Sequence, residues 1–161
     1  MRRPLHNAPQ PEHPEHPVVT ALGSPEGCVS GILEWLGQLG IDVSPFEADH
    51  ICFRCATTSE YRSVCALLDK HGLLLIESMI GGRPISTYLL KQALTCNGLT
   101  IRCVEVPCPK PGRPYSSGWE HIEFVIGSEA HSVHDRSMLC KHACARAASH
   151  PREIDVHAGI R

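Results

Sequence analysis

The side chains best suited to chemistry in this sequence are two histidines set in matching surroundings. Asp49-His50-Ile51-Cys52-Phe53 aligns with Glu120-His121-Ile122-Glu123-Phe124: an acid, a histidine, an isoleucine, a variable position and a phenylalanine. A repeated unit would bring the two imidazoles together across a shared cleft. Divalent first-row ions accept imidazole nitrogen and carboxylate oxygen alike, so a carboxylate is the missing element of a metal site. Glu105 is the first candidate. It falls near the end of a strand, on the face expected to carry Leu99, Ile101 and Cys103, where an ionised side chain is costly to bury without a partner. Glu123 is the reserve, two residues from His121 and so on the same face of its strand. The expected metal ligands are therefore His50, Glu105 and His121. The opposing reading makes His50 and His121 core histidines with satisfied hydrogen bonds, and lets Glu105 reach solvent.

The cysteines point elsewhere less well. They number nine, are scattered, and follow no apolar secretory stretch, so a disulfide framework is not expected. Cys52 and Cys55 have the C-x-x-C spacing of redox pairs and half zinc sites. A redox pair sits at a helix N-terminus, where the thiolate is stabilised. These two fall in an expected strand, where their spacing sends them to opposite faces, and the structural role is preferred. Cys140-Lys141-His142-Ala143-Cys144 lacks the paired spacing of a zinc finger. His13 and His16, in a Pro-Glu-His near-repeat, have no preformed site around them.

Composition narrows the classes further. The chain has 161 residues, 42% apolar and 20% charged, with a net charge of -2. That is about one domain's length, and the balance excludes a general nucleic-acid binder, which needs a surplus of Lys and Arg. No apolar run approaches the ~20 residues that span a bilayer, and no apolar stretch follows Arg2-Arg3. A cytoplasmic location with neither membrane nor nucleic-acid partners is expected.

Three stretches differ in character. Residues 1–23 are rich in proline and histidine and read as a disordered tail. Residues 24–127 carry the periodic apolar pattern of a folded core. Residues 128–161 are rich in His and Arg, and Ser132–Ala148 could form one helix. Within the core, Ser24-Pro25 starts a helix whose face is Val29, Ile32, Leu33, Leu36 and Leu39, stopped at Gly40. A strand over His50–Cys55 follows. Thr57 to Glu60 fits a capping box, opening a second helix with Tyr61, Val64, Leu67 and Leu68 on one face and a glycine stop at Gly72. Leu73–Ile80 and Ile85–Lys91 flank Gly81-Gly82-Arg83-Pro84 as a hairpin. Leu99–Val106 and Trp119–Ile126 are further strands. The order β-α-β-β-β, then one more strand, is that of an α+β fold in which a second unit begins at Trp119.

The stretch from Leu39 to Gly127 resembles the bacterial YecM-like family, members of the vicinal-oxygen-chelate group that includes glyoxalase I, epimerases and extradiol dioxygenases. The resemblance rests on Leu39-Gly40-Ile41-Asp42, Ala48-Asp49-His50-Ile51 with Arg54-Cys55, Glu77-Ser78-Met79-Ile80 with Gly82-Arg83-Pro84-Ile85, Val104-Glu105-Val106-Pro107, and above all Gly118-Trp119-Glu120-His121-Ile122-Glu123. It implies βαβββ modules with a mixed sheet, helices packed on one face, and a divalent ion (Zn, Ni, Mn or Fe) between the modules. Each module would give a ligand from its first and fourth strands: His50 and Glu105 from the first, His121 from the second. By the same spacing a fourth ligand falls beyond Arg161, so the second module is expected to be incomplete. His131 or His134, or a second copy of the chain, would then have to fill the gap.

Two functions remain open on this basis. One is a metal-dependent isomerase- or oxygenase-type enzyme acting on a small molecule with two neighbouring oxygens, with Arg54 or Arg83 neutralising an anionic group and Glu123 a geometric candidate for general base. The other is a non-catalytic binding or assembly module, which could pair as a homodimer. A redox or zinc protein built on the cysteines is a third, weaker reading.

Overall fold

In the computed structural model, which describes residues 15–125, the expected periodicities become three helices and five strands. Helix α1 spans Pro17–Leu22, α2 Glu26–Gln38 and α3 Thr58–His71. The strands are β1 Glu47–Arg54, β2 Gly72–Ile80, β3 Arg83–Cys96, β4 Leu99–Pro107 and β5 Gly118–Val125.

The ends of the helices follow from local hydrogen bonding. Ser24 Oγ accepts from Glu26 N at 3.2 Å at the entry to α2. At its exit, Gly40 N donates to Gly37 O and Ile41 N to Leu36 O, with Gly40 at φ 72°. This is the Schellman arrangement, which favours glycine because its left-handed backbone crowds a Cβ. Thr57 Oγ1 accepts from Glu60 N at 3.1 Å, and Glu60 Oε2 accepts in return from Ala56 N at 2.7 Å. The expected capping box therefore forms, with its return bond displaced by one residue.

The sheet runs in the order β2-β3-β4-β1-β5. β1 lies parallel to β4, and the other pairs are antiparallel. The unit β1-α3-β2-β3-β4 is the expected βαβββ module, and β5 adds to its β1 edge. One face of the sheet packs against the helices. Val29, Ile32 and Leu36 of α2 and Val64 and Leu68 of α3 share a core with Ile51, Val104, Val106 and Ile122. Removing Ile51 to alanine at such a site costs about 2–5 kcal/mol. The fold is thus α+β with a mixed sheet and helices on one face.

Several expectations are corrected. The disordered reading of 1–23 fails for Pro17–Leu22: Val18 is fully buried in the core, and Val19 and Leu22 pack against it. The short apolar run Val18-Val19 and Leu22 suffices for one and a half turns when a core receives it. His16 caps this helix, its Nδ1 accepting from Val18 N at 3.2 Å while Nε2 donates to Gln92 O at 2.9 Å. Gly72 does not adopt a left-handed stop, its φ being -153°. Its role is close approach, because a Cβ there would lie 2.7 Å from Leu89 O. Strict alternation also fails in β4. Ile101, Val104 and Val106 all join the core, and a register shift between Leu89 and Leu94 of β3 accompanies the change of parity. Glu105 therefore sits on the face opposite Ile101. Cys55 lies just past the end of β1 and is buried.

Among the described residues, no element covers the far edge of the sheet. In β2, Leu73, Leu74, Leu75, Ile76, Met79 and Ile80 are all exposed, so apolar side chains meet solvent on both faces. Its register with β3 runs to the two-residue turn Gly81-Gly82, both at positive φ, as a tight hairpin requires. No helix among the described residues is long and apolar enough to cross a membrane. The tail reading for 128–161, the Ser132–Ala148 helix, His13, His131, His134 and the Cys140–Cys144 cluster lie outside the described residues.

Candidate metal centre

Strand pairing brings the donors together. His50 is in register with Cys103 of β4 and with Glu123 of β5, while Cys52 is in register with Glu105 and with His121. Residues side by side on neighbouring strands share a face, so His50, Cys52, Glu105, His121 and Glu123 gather on the face away from the helices.

The ligand atoms of His50, His121 and Glu123 all lie within 4.8 Å of one another. His50 Nε2 is 3.7 Å from Glu105 Oε2 and 3.9 Å from Glu123 Oε1, and His121 Nε2 is 4.0 Å from the same Glu123 oxygen. The two imidazoles meet edge to face, 6.1 Å between centroids. Of the residues expected from sequence, His50 and His121 thus converge, Glu105 stands beside His50, and the reserve Glu123 is the carboxylate grouped with both histidines.

His50 is the centre of this patch. Its Nδ1 donates to Asp49 Oδ2 at 3.0 Å, which fixes the tautomer and leaves the Nε2 lone pair facing the carboxylates. That Nε2 is buried and makes no hydrogen bond. An acceptor nitrogen left in that condition among two carboxylates and a second imidazole suits a cation, and the carboxylate–histidine pairing is the usual outer support of a metal-bound imidazole. The donor set fits a divalent ion of the N/O type. Burial pushes the Glu105 carboxyl above the usual carboxylate range, opposed by His50 and reinforced by the Glu123 charge. Crowded carboxylates on a half-buried face behave in this way until a cation joins them.

Sequence reasoning missed two participants. Asp49 is one. Adjacent strand residues normally face apart, but the register shift between Ala48 and His50 lets Asp49 reach the neighbouring ring. Glu120 is the other. It is 7% exposed and held by Arg54, whose Nη1 lies 2.9 Å from its Oε1. The Arg54 Nε donates to Ser116 O, and its guanidinium lies 5.8 Å from the Tyr115 ring centroid. Arg54 is thus committed to Glu120, while Arg83 donates to Cys108 O at 3.0 Å. Their signal was present in the acid preceding each histidine. Cys52, Glu120 and His121 also have ligand atoms within 4.8 Å of one another.

Residues 28–159 match the family profile described as YecM protein. Protein YecM of Escherichia coli (strain K12) is 35% identical over 104 residues, covering 63% of this chain and 54% of that protein. A Haemophilus influenzae protein described as uncharacterized is 30% identical over 89 residues, covering 55% of this chain and 47% of that one. The chain therefore spans about half the length of these curated relatives. A solved structure described as "Structural Genomics, Protein EC4020" superposes with a TM-score of 0.65 at 29% identity, covering 75% of this chain and 67% of that one.

Proposed function

Because the chain belongs to the YecM family, we propose that it binds a divalent metal ion (Zn, Ni, Mn or Fe) through His50 and His121 with the carboxylates of Glu123 and Glu105, as a vicinal-oxygen-chelate protein acting on a small molecule. The observation that carries this reading is the buried Nε2 of His50, without a hydrogen bond and aligned by Asp49. An ion held there supplies a Lewis acid to two neighbouring oxygens of a substrate, the chemistry shared by isomerase- and oxygenase-type reactions.

The protein's own groups divide the remaining work. Asp49 holds the proton on His50 Nδ1 and so keeps Nε2 available as a donor. Glu123, grouped with both imidazoles, completes the N/O set. Glu105, with its Oε2 3.7 Å from His50 Nε2, would join as the second carboxylate, giving up the proton that burial favours in the metal-free protein.

Metal analysis of purified protein tests the reading, wild type beside a His50→Ala/His121→Ala double variant. Stoichiometric metal in the wild type, lost in the variant, supports it. A wild type that is metal-free and refuses reloading overturns it.

A second reading, an assembly module, is favoured by the bare β2 edge. Its side chains are uncharged except Glu77, which accepts from Tyr61 and Ser86 at 2.8 and 3.0 Å. An uncharged antiparallel edge is complementary to itself, so the partner is a second copy of this chain. A dimeric mass by light scattering that becomes monomeric on Leu75→Lys supports this reading, and a wild-type monomer overturns it.

A further inference from the structure

The repeat and the register together define a local two-fold. Ile51 pairs with Ile122, and around that pair His50 faces Glu123 while Cys52 faces His121. The operation exchanging β1 and β5 therefore exchanges His50 with His121 and Cys52 with Glu123. It also exchanges Asp49 with Glu120, and each of these acids falls at a register shift, Asp49 between Ala48 and His50, Glu120 opposite the shift between Cys52 and Phe53. Cys52 thus occupies in the first copy the place that Glu123 occupies in the second.

We propose that Cys52, Glu120 and His121 form a second, thiophilic metal position that shares His121 with the first. Their ligand atoms lie within 4.8 Å of one another, and both Cys52 and Glu120 are buried. Thiolate sulfur selects softer ions such as zinc and cobalt, whereas carboxylate and imidazole suffice for manganese. The Arg54 contact to Glu120 Oε1 at 2.9 Å is then the outer support of a ligating carboxylate, as Asp49 is for His50. Because one imidazole serves both positions, ion identity decides which is filled: a soft ion settles on the cysteine side, a hard one on the Glu123 side. The proposal extends the metal reading above, with which it has only His121 in common.

Cobalt titration of the full chain tests it, with manganese binding followed in parallel by electron paramagnetic resonance. The expected result is a near-ultraviolet thiolate-to-cobalt charge-transfer band that is lost in Cys52→Ser and kept in His50→Ala, with manganese binding showing the reverse pattern. Ligand-field absorption without that band in the wild type overturns the second position and leaves the first standing. A band that survives Cys52→Ser overturns it too. A wild type that shows the band yet takes up no manganese supports the second position and overturns the first. Should Cys52→Ser fail to fold, X-ray absorption at the zinc edge of the wild type decides instead: a sulfur ligand at about 2.3 Å supports the proposal, and a shell of nitrogen and oxygen alone overturns it.

Discussion

Asp49 Oδ2 and His50 Nδ1 lie 3.0 Å apart although their residues are neighbours in a single strand. Regular pleating forbids that contact, and the register shift at Ala48/His50 permits it. Because Asp49 is 58% exposed at its side chain, it contributes little to the core. Asp49→Asn is expected to weaken metal affinity roughly 10- to 100-fold, with unfolding free energy changed by no more than about 0.5 kcal/mol. Competition against a chelator and urea unfolding measure the two effects separately.

The two glutamates are expected to separate. Glu105 holds its proton above the ordinary glutamate value of 4.5 because it is desolvated. The folded state then binds more protons than the unfolded one, so this group's contribution to stability falls as pH rises from 4.5 through its raised value. Glu105→Gln should therefore stabilise the metal-free protein at neutral pH by about 1 kcal/mol and flatten that decline. Glu123→Gln, at a more exposed side chain, should leave stability nearly unchanged and weaken metal binding more. Urea unfolding at several pH values, beside metal titration, distinguishes them.

The buried thiols predict alkaline sensitivity. Burial pushes Cys28 up to about 11 and Cys55 up to about 12, from an ordinary thiol value of 9.0, and raises the Tyr61 and Tyr88 hydroxyls as well. Between pH 9 and 12 the folded chain keeps thiol protons that the unfolded chain has released, so stability drops through that window as pH rises. Thermal unfolding scans should show the midpoint falling progressively above pH 9. The same burial makes Cys55 slow to alkylate at neutral pH until denaturant is added, which separates it from a redox pair.

Arg54 is the counter-ion of a carboxylate with 8% side-chain exposure. Arg54→Leu removes the cation beside the buried Glu120, at a cost of about 3 kcal/mol. Adding Glu120→Gln should recover most of that loss. A double-mutant cycle by chemical denaturation checks the coupling, and independent, additive losses would contradict it.

Much of the architecture was legible because it is written in local chemistry. The Thr57–Glu60 cap, the Gly40 stop and the Gly81-Gly82 turn all formed where residue type demanded them. The acid-histidine repeat pointed to the two imidazoles meeting, though not to their strands pairing side by side in one sheet. What could not be read were departures from periodicity. α1 was hidden among prolines, since its few apolar residues matter only once a core is there to receive Val18. The parity change in β4 and the shifts beside Asp49 and Glu120 arise from pairing with distant strands, which no local pattern announces. Arg54 and Glu120 are likewise joined only through the sheet. For the same reason Glu123, rather than Glu105, emerged as the carboxylate common to both histidines.

The position of β1 in the sheet also orders events in time. Its two neighbours, β4 and β5, both follow it in the chain, beginning at Leu99 and Gly118. During synthesis the β2–β3 hairpin and α3 can form from local contacts, while the strand bearing His50 waits for partners of high sequence separation. The donors on β1 and β5 cannot meet until that wait ends. Capture of an ion would then report that topology is complete, sealing the last and least local pairing of the fold.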